Sequence, residues 1–277
     1  MMKIDSHQHF WKYHPVKDAW ITDNMSVIKN DFSPEDVQPL LIQNGIGACV
    51  AVQADQSEQE THYLLELAAQ YDFIHGVVGW VDFCAENIAE RLQYFSQFKK
   101  LKGFRHIVQA EPADNFLLRD DFCHGISLLA KYNFTYDILI YPKHLQYAEA
   151  FVKRFPGQRF VIDHLAKPLI KDQLIGAWET DLRAFAKYDN VSCKMAGLVT
   201  EADWQHWQLS DFTAYVNIVL DIFGADRVMF GSDWPVCLVG ASYAQVVEIL
   251  EQCTSHLPVA DKEKLWGSNC ARFYNLS

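Results

Sequence analysis

Two histidines stand two residues apart in MMKIDSHQHFW, where the first apolar run of the chain gives way to polar residues. Side chains alternate faces along a strand, so an i, i+2 pair points one way. If Lys3 to Gln8 is a strand, Asp5, His7 and His9 share a face, and two imidazoles at its C-terminal end can meet one small target. A third histidine, His164, ends the run RFVIDHLAKP, and Asp233 ends RVMFGSDWPV. Three imidazoles and a carboxylate can hold a divalent ion, polarise a carbonyl, or take a proton from water. Each also has an ordinary reading: a histidine bonded to backbone or solvent, an aspartate capping a turn. The readings separate on whether the chain brings all four to one place.

The elements that must do so recur regularly. Eight β-rich apolar runs, KIDSHQHF, GACVAVQAD, FIHGVVGWVD, LKGFRHIVQ, FTYDILIYP, RFVIDHLAKP, NVSCKMAGLV and RVMFGSDWPV, are spaced to leave room for a helix between them. Two of the intervening helices open with capping signals, at Ser33-Pro34-Glu35-Asp36 and Ser57-Glu58-Gln59-Glu60. Strand then helix, eight times over, predicts parallel strands closed into a (β/α)8 TIM barrel, a single domain spanning 1–277. No GxGxxG or GxxxxGK[ST] follows a strand, which removes the argument for a nucleotide-binding open sheet. Residues 10–32, rich in Trp, Tyr, Asp and Asn, are too long for an ordinary connection and read as a loop over the mouth. Residues 259–277, containing KEKLWGSNCARFYN, read as a helical tail packed on the barrel.

In such barrels the C-terminal ends of the strands form the active face. Alternation then sorts the remaining candidates. Val50 and Val52 outward leaves Gln53 inward; Val77, Gly79 and Val81 outward leaves Trp80 and Asp82 inward; Val191 and Cys193 outward leaves Lys194 inward. In GFRH, Arg105 is the better inward residue than His106, since a guanidinium suits carbonyl or carboxylate oxygens. Gln53 and Asp137 are weaker candidates. The other histidines fall in helices, loops or strand starts.

Composition narrows the partners. Half of the 277 residues are hydrophobic and 14% are aromatic, enough for a substantial core. A net charge of -11 without a basic patch argues against nucleic acid and anionic membranes. Seven cysteines without CxxC or zinc-finger spacing read as thiols in a reducing cytosol, and with no leader or bilayer-length apolar run the expected location is cytoplasmic.

At HQHFW, HLAKP and GSDWPV the chain resembles the amidohydrolase superfamily, in its lactonase-like branch that contains L-fuconolactonases and L-rhamnonolactonases. VQAD, GVVGWVD, KGFRHIVQ, the Tyr-Asp strand, SCKMAGL and the terminal GSNCARFYN are similar to that branch in the same order. Binuclear members of the wider superfamily use histidines from the fifth and sixth strands, whereas FTYDILIYP has none, so the resemblance implies at most one ion. His7, His9, His164 and Asp233 would hold it, with zinc the ion best suited to imidazole and carboxylate; the same four can also act without it.

The activity this implies is the opening of a sugar-acid lactone. Asp233 would take the proton from water and return it to the departing ring oxygen, while His7, His9 and His164 polarise the carbonyl. Trp11, Trp80 and Trp234 offer flat faces to a sugar ring, and Arg105, His106 and Lys194 offer donors. One rival is hydrolysis of a lactone dicarboxylate, or a decarboxylation, on the same scaffold; the other is a sugar-binding barrel without catalysis. A dicarboxylate would call for several inward arginines, and Arg105 is the one good candidate.

Overall fold

The computed structural model of the protein describes residues 2–276. Eight strands, β1 (Lys3–Gln8), β2 (Ile46–Val52), β3 (Ile74–Gly79), β4 (Leu101–His106), β5 (Thr135–Ile138), β6 (Phe160–Ile162), β7 (Val191–Met195) and β8 (Val228–Phe230), form one parallel sheet in chain order. Helices α1 (Pro34–Gln43), α2 (Glu58–Gln70), α3 (Ile88–Phe95), α4 (Asp120–Ser127), α5 (Leu145–Arg154), α6 (Gly176–Arg183), α7 (Leu209–Phe223) and α8 (Tyr243–Cys253) alternate with them. This is the single-domain (β/α)8 barrel that the spacing predicts. The seam between β8 and β1 is short, a bridge from Gln8 to Trp234. It is stitched by His9 N–H donating to Trp234 O (2.7 Å) and Asp233 N–H to His7 O (2.8 Å). Closure of the barrel therefore draws the first and last strand ends, with their polar side chains, onto one spot.

Both predicted caps are present in part or whole. The Asp36 carboxylate accepts from Ser33 N–H at 2.8 Å, and Ser57 Oγ accepts from Glu60 N–H at 3.2 Å. The barrel interior holds Ile4, Val50, Val52, Val78, Val161 and Met229, while Cys49, Ala51, Val77, Val81, Val191 and Cys193 pack against the helices. The parity expected for β3 and β7 agrees with this. That for β2 is corrected: Val50 and Val52 face in. Gln53, taken as inward, lies past the end of the strand, where alternation no longer holds, and so does not set the parity of Val50 and Val52. β1 needs a second correction. Its register shifts between Asp5 and Gln8, so His7 points inward while Asp5 turns the other way, accepting from Tyr243 O–H on α8 (3.0 Å) and Ser232 N–H (2.9 Å). His7 and His9 share a face, and Asp5 does not.

The segment 10–32 is tied at its ends by reciprocal Trp11 and Phe32 backbone bonds (3.1 and 2.9 Å) and brings Trp11, Trp20 and Met25 to the mouth. At the opposite end the tail forms α9 (Val259–Glu263), a π-helical turn (Lys264–Ser268) and α10 (Asn269–Phe273). Cys270, Phe273 and Tyr274 pack into the interior cluster, and Asn269 donates to Ala225 O and Val228 O at the foot of β8. The tail thus plugs the bottom of the barrel. No helix among the described residues is long and apolar enough to cross a membrane.

The loop after β2 hangs on one buried acid. Glu60 accepts from Ala54 N–H (3.1 Å) and from Asp55 N–H, and burial pushes its carboxyl up to about 7. The folded chain therefore keeps a proton that the unfolded chain releases between pH 4.5 and 7. This group's contribution is fully present below pH 4.5 and is lost as pH rises through about 7. Glu60→Gln is expected to flatten stability across that window, by up to a few kcal/mol relative to wild type. Urea unfolding at pH 5 and pH 8 measures it, and an unchanged pH slope would contradict it.

Candidate active site

The geometry begins at the strand ends. His9 Nδ1 sits 2.8 Å from Val52 O, so it carries the proton, and His9 Nε2 faces Asp233 Oδ1 at 3.3 Å. His7 Nε2 and His164 Nε2 each stand 3.9 Å from the same oxygen. Three imidazoles from two distant parts of the chain thus converge on one carboxylate oxygen, all four residues nearly buried.

His164 arrives by an unusual route. Alternation along β6 puts Val161 inward and Ile162 outward, so Asp163 points inward and His164 would point away. Instead, His164, Leu165, Ala166 and Lys167 have φ of 53, 55, 59 and 52°, a left-handed turn closed by Lys167 N–H donating to His164 O at 2.7 Å. Left-handed helical backbone costs roughly 1–2 kcal/mol per residue without glycine. Burial of Leu165 and Ala166, and Trp178 Nε1–H donating to Leu165 O (2.7 Å), hold the turn. Asp233 is also left-handed, at φ 59°. Strain of this kind concentrates where side chains must be aimed.

Gly197 makes room for the result. Its φ is +67°, and a Cβ added there would lie 2.6 Å from His164 Nδ1. Gly197→Ala is expected to displace the imidazole and to lower kcat/KM on substrate by about a hundredfold. Kinetics alongside a thermal midpoint test this; an active variant with a shifted midpoint alone would refute it.

Below the imidazoles lies a charged layer. Lys194, fully buried, donates to Asp137 Oδ2 (2.5 Å), pairs in charge with Asp163 Oδ1 at 3.1 Å and stands 3.1 Å from His7 Nδ1. Arg105 Nη1 donates to Asp163 Oδ2 (3.0 Å) and reaches His7 Nε2 (3.2 Å), while Nη2 donates to Gln53 O. Tyr274 O–H from the tail donates to Asp137 Oδ2 at 2.7 Å. Two cations thus meet two carboxylates out of water, a balanced set. Burial pushes Asp137 up to about 6 against the pull of Lys194. Asp163 goes the other way: burial would raise it, but Lys194, His7 and Arg105 together hold it well below the usual carboxylate range.

Two of the imidazoles are shifted by burial as well. Burial lowers His7 well below its ordinary value, with Lys194 adding to the effect, and brings His164 down to about 4. For Asp233 burial acts upward, but interaction with His164, the hydrogen bond with His9 and the nearness of His7 outweigh it and hold the carboxyl below its usual range.

A pocket of about 410 Å³ opens above this cluster, a size suited to a small ligand. Its floor includes His9, His164, Asp233 and Arg105; Trp11, Trp20, Met25 and Val236 make one apolar wall; Tyr141, Lys167, Thr200 and Glu201 also line it. Several expected contacts are elsewhere. Trp80 Nε1–H donates to His106 Nδ1 (3.2 Å), His106 bonds Glu111 (2.7 Å) and stacks on Phe116, and neither residue lines the pocket. Trp234 is buried against Phe10 and Phe32, and Lys194 is sealed beneath His7. Of the six side chains expected to touch substrate, Arg105 and Trp11 reach the pocket and these four do not; strand parity says which way a residue starts, not where neighbouring loops cover it. Lys167, Glu201, Thr200, Tyr141 and Trp20 were not singled out. HLAKP carried the signal for Lys167, once its spacing from His164 is known to lie in a tight turn.

The donor set suits a divalent ion. His7, His164 and Asp233 each place a ligand atom within 4.8 Å of the other two. At zinc bond lengths of roughly 2.0–2.2 Å, tetrahedral ligand atoms stand about 3.4 Å apart, between the 3.3 and 3.9 Å observed around Asp233 Oδ1. His9 adds a chemical reason. With Nδ1 taken up by Val52 O, its other ring nitrogen, Nε2, is the one directed at Asp233 Oδ1 and free to join a shared ion.

A buried histidine–aspartate cluster at the mouth of a (β/α)8 barrel, entered from the first, sixth and eighth strands, defines a hydrolase-type centre. The chain belongs to the amidohydrolase family, which it matches over residues 4–276. Within it, the chain is 39% identical over 286 residues to L-fucono-1,5-lactonase of Burkholderia multivorans, covering 99% of this chain and 96% of that enzyme. It is 34% identical over 278 residues to L-fucono-1,5-lactonase of Burkholderia ambifaria, at 99% and 96% coverage. A crystal structure of an amidohydrolase from Burkholderia multivorans with bound zinc superposes with a TM-score of 0.97 at 39% identity over 100% of both chains. The lactonase-like branch read from HQHFW, HLAKP and GSDWPV is the branch these relatives occupy.

Proposed function

We propose that the protein hydrolyses a sugar-acid lactone, an aldonolactone of the L-fuconolactone or L-rhamnonolactone type. The observation that carries this is the convergence of His7, His9 and His164 on Asp233 at the floor of a pocket with an indole wall. The similarity to two L-fucono-1,5-lactonases supports the substrate class. The lactone ring lies against Trp11, its carbonyl turned to the imidazoles. Asp233, anionic at neutral pH, accepts a proton from the attacking water and passes it to the ring oxygen as the ester opens. Polarisation of the carbonyl, which stabilises the developing oxyanion, lowers the barrier alongside this proton transfer. A divalent ion, zinc by the donor chemistry, would be held by His7, His9, His164 and Asp233 and would supply Lewis acidity at that carbonyl.

Arg105 and Lys167 are the only cationic side chains among the described pocket residues, and Glu201 stands 3.5 Å from Lys167. A neutral lactone suits that balance better than a dicarboxylate. With the net charge of -11, it supports a small-molecule substrate and a cytoplasmic enzyme without nucleic-acid or membrane partners.

A panel of aldonolactones followed with a pH indicator, with and without added zinc or manganese and corrected for spontaneous opening, tests the function. Turnover of none above that floor would overturn it. Because β5 offers no histidine and Lys194 is locked between carboxylates, elemental analysis is expected to find no more than one divalent ion per chain. Two tightly held ions would contradict the assignment.

A further inference from the structure

The left-handed turn that aims His164 also aims a second side chain. In a turn closed by an i to i+3 bond, residues i and i+3 eclipse one another. His164 and Lys167 stand in that relation, and both line the pocket. The Lys167 ammonium faces the Glu201 carboxylate at 3.5 Å and sits 5.6 Å above the Tyr141 ring, with the lysine and glutamate side chains 16% and 19% exposed. A strong charge-assisted hydrogen bond is about 2.7–2.9 Å long. At 3.5 Å the two groups are paired in charge but hold back hydrogen-bonding capacity, three donors on one side and carboxylate lone pairs on the other. Trp11 and Trp20 line the same pocket.

We propose that Lys167 and Glu201 form the subsite that recognises the ring hydroxyls of the lactone. The idea rests on the lactonase reading and deepens it. A hydroxyl is both donor and acceptor, so a carbon bearing one, or a pair on adjacent carbons, is matched by an ammonium and a carboxylate side by side. The apolar C–H face of the same ring then rests on the indoles that line the pocket. Burial raises the Glu201 carboxyl and Lys167 draws it back toward its ordinary value. The strained HLAK turn accordingly has two tasks: it delivers His164 to the reacting carbonyl and Lys167 to the substituents beside it. These would be specificity residues, distinct from the imidazoles that polarise the ester.

The test compares two substrates of equal ring size, a polyhydroxylated aldonolactone and the unsubstituted lactone, in wild type, Lys167→Met and Glu201→Gln. The reading is the ratio of their kcat/KM values, in which any general loss from misfolding or a disturbed His164 cancels. Wild type is expected to favour the hydroxylated ring, and each variant to lower that ratio by about tenfold or more, chiefly through KM. An unchanged ratio in both variants, with both substrates falling equally or not at all, overturns the subsite and leaves the lactonase reading intact. A wild type that favours the unsubstituted ring also overturns it. A wild type that opens neither lactone removes the function and the subsite together.

Discussion

Asp233→Asn is expected to lower kcat on an aldonolactone by roughly a hundred- to ten-thousand-fold, with a much smaller change in KM. Asparagine keeps the size of the side chain and can still meet His9, but it cannot hold a proton taken from water. Asp233 is the carboxylate on which three imidazoles converge, and those imidazoles keep it ionised at neutral pH. The next carboxylate in the pocket, Glu201, is paired with Lys167 and has no imidazole against it. The neighbour best placed to compensate, Thr200, reaches Asp233 Oδ2 at 3.4 Å but offers only a hydroxyl. The measurement is initial rate against lactone concentration, with spontaneous opening subtracted. Full activity in Asp233→Asn would show that another group takes the proton. A rise in KM with kcat preserved would make Asp233 a binding residue alone.

The barrel was legible because its signal repeats. Eight apolar runs of strand length, each followed by helical spacing, leave little freedom in topology, and every run became the strand expected. Polar residues at the ends of those runs were legible on the same ground, since a barrel gathers its strand ends at one mouth. Finer placement failed where the backbone departs from simple alternation. A register shift in β1 turned Asp5 away from His7, and a left-handed turn after β6 swung His164 back toward a site that parity would deny it. Neither event has a glycine to announce it; tertiary packing around Leu165, Ala166 and Trp178 imposes the second. Lys194 was legible as inward but not as buried, because its partners Asp137 and Asp163 come from other strands and the seal above it is His7 itself. Tyr274 reaches Asp137 from a tail that folds under the barrel, a contact of 137 residues' separation that no local pattern encodes.

That buried layer makes Asp163 the residue whose loss should cost the most stability. It accepts from Arg105 at 3.0 Å, faces the Lys194 ammonium at 3.1 Å and stands 3.4 Å from His7 Nδ1, with no exposure to solvent. Asp163→Asn leaves two buried cations facing Asp137 alone. Removing one partner from a buried ionic group typically costs about 3–5 kcal/mol, and in a chain of this size that lowers Tm by on the order of 10 °C. If the uncompensated charge is the cause, removing one cation as well relieves it. The double variant Asp163→Asn with Lys194→Met is therefore expected to be more stable than Asp163→Asn, although it has lost more contacts. A double variant less stable than the single would assign the loss to shape and hydrogen bonding instead of charge balance. Activity should divide from stability in the same pair. His7 loses the carboxylate beside its Nδ1 in both variants, so lactone turnover is expected to stay low in the double variant even where its Tm recovers. Recovery of turnover along with Tm would mean that Asp163 serves the fold only, and that His7 is oriented by Arg105.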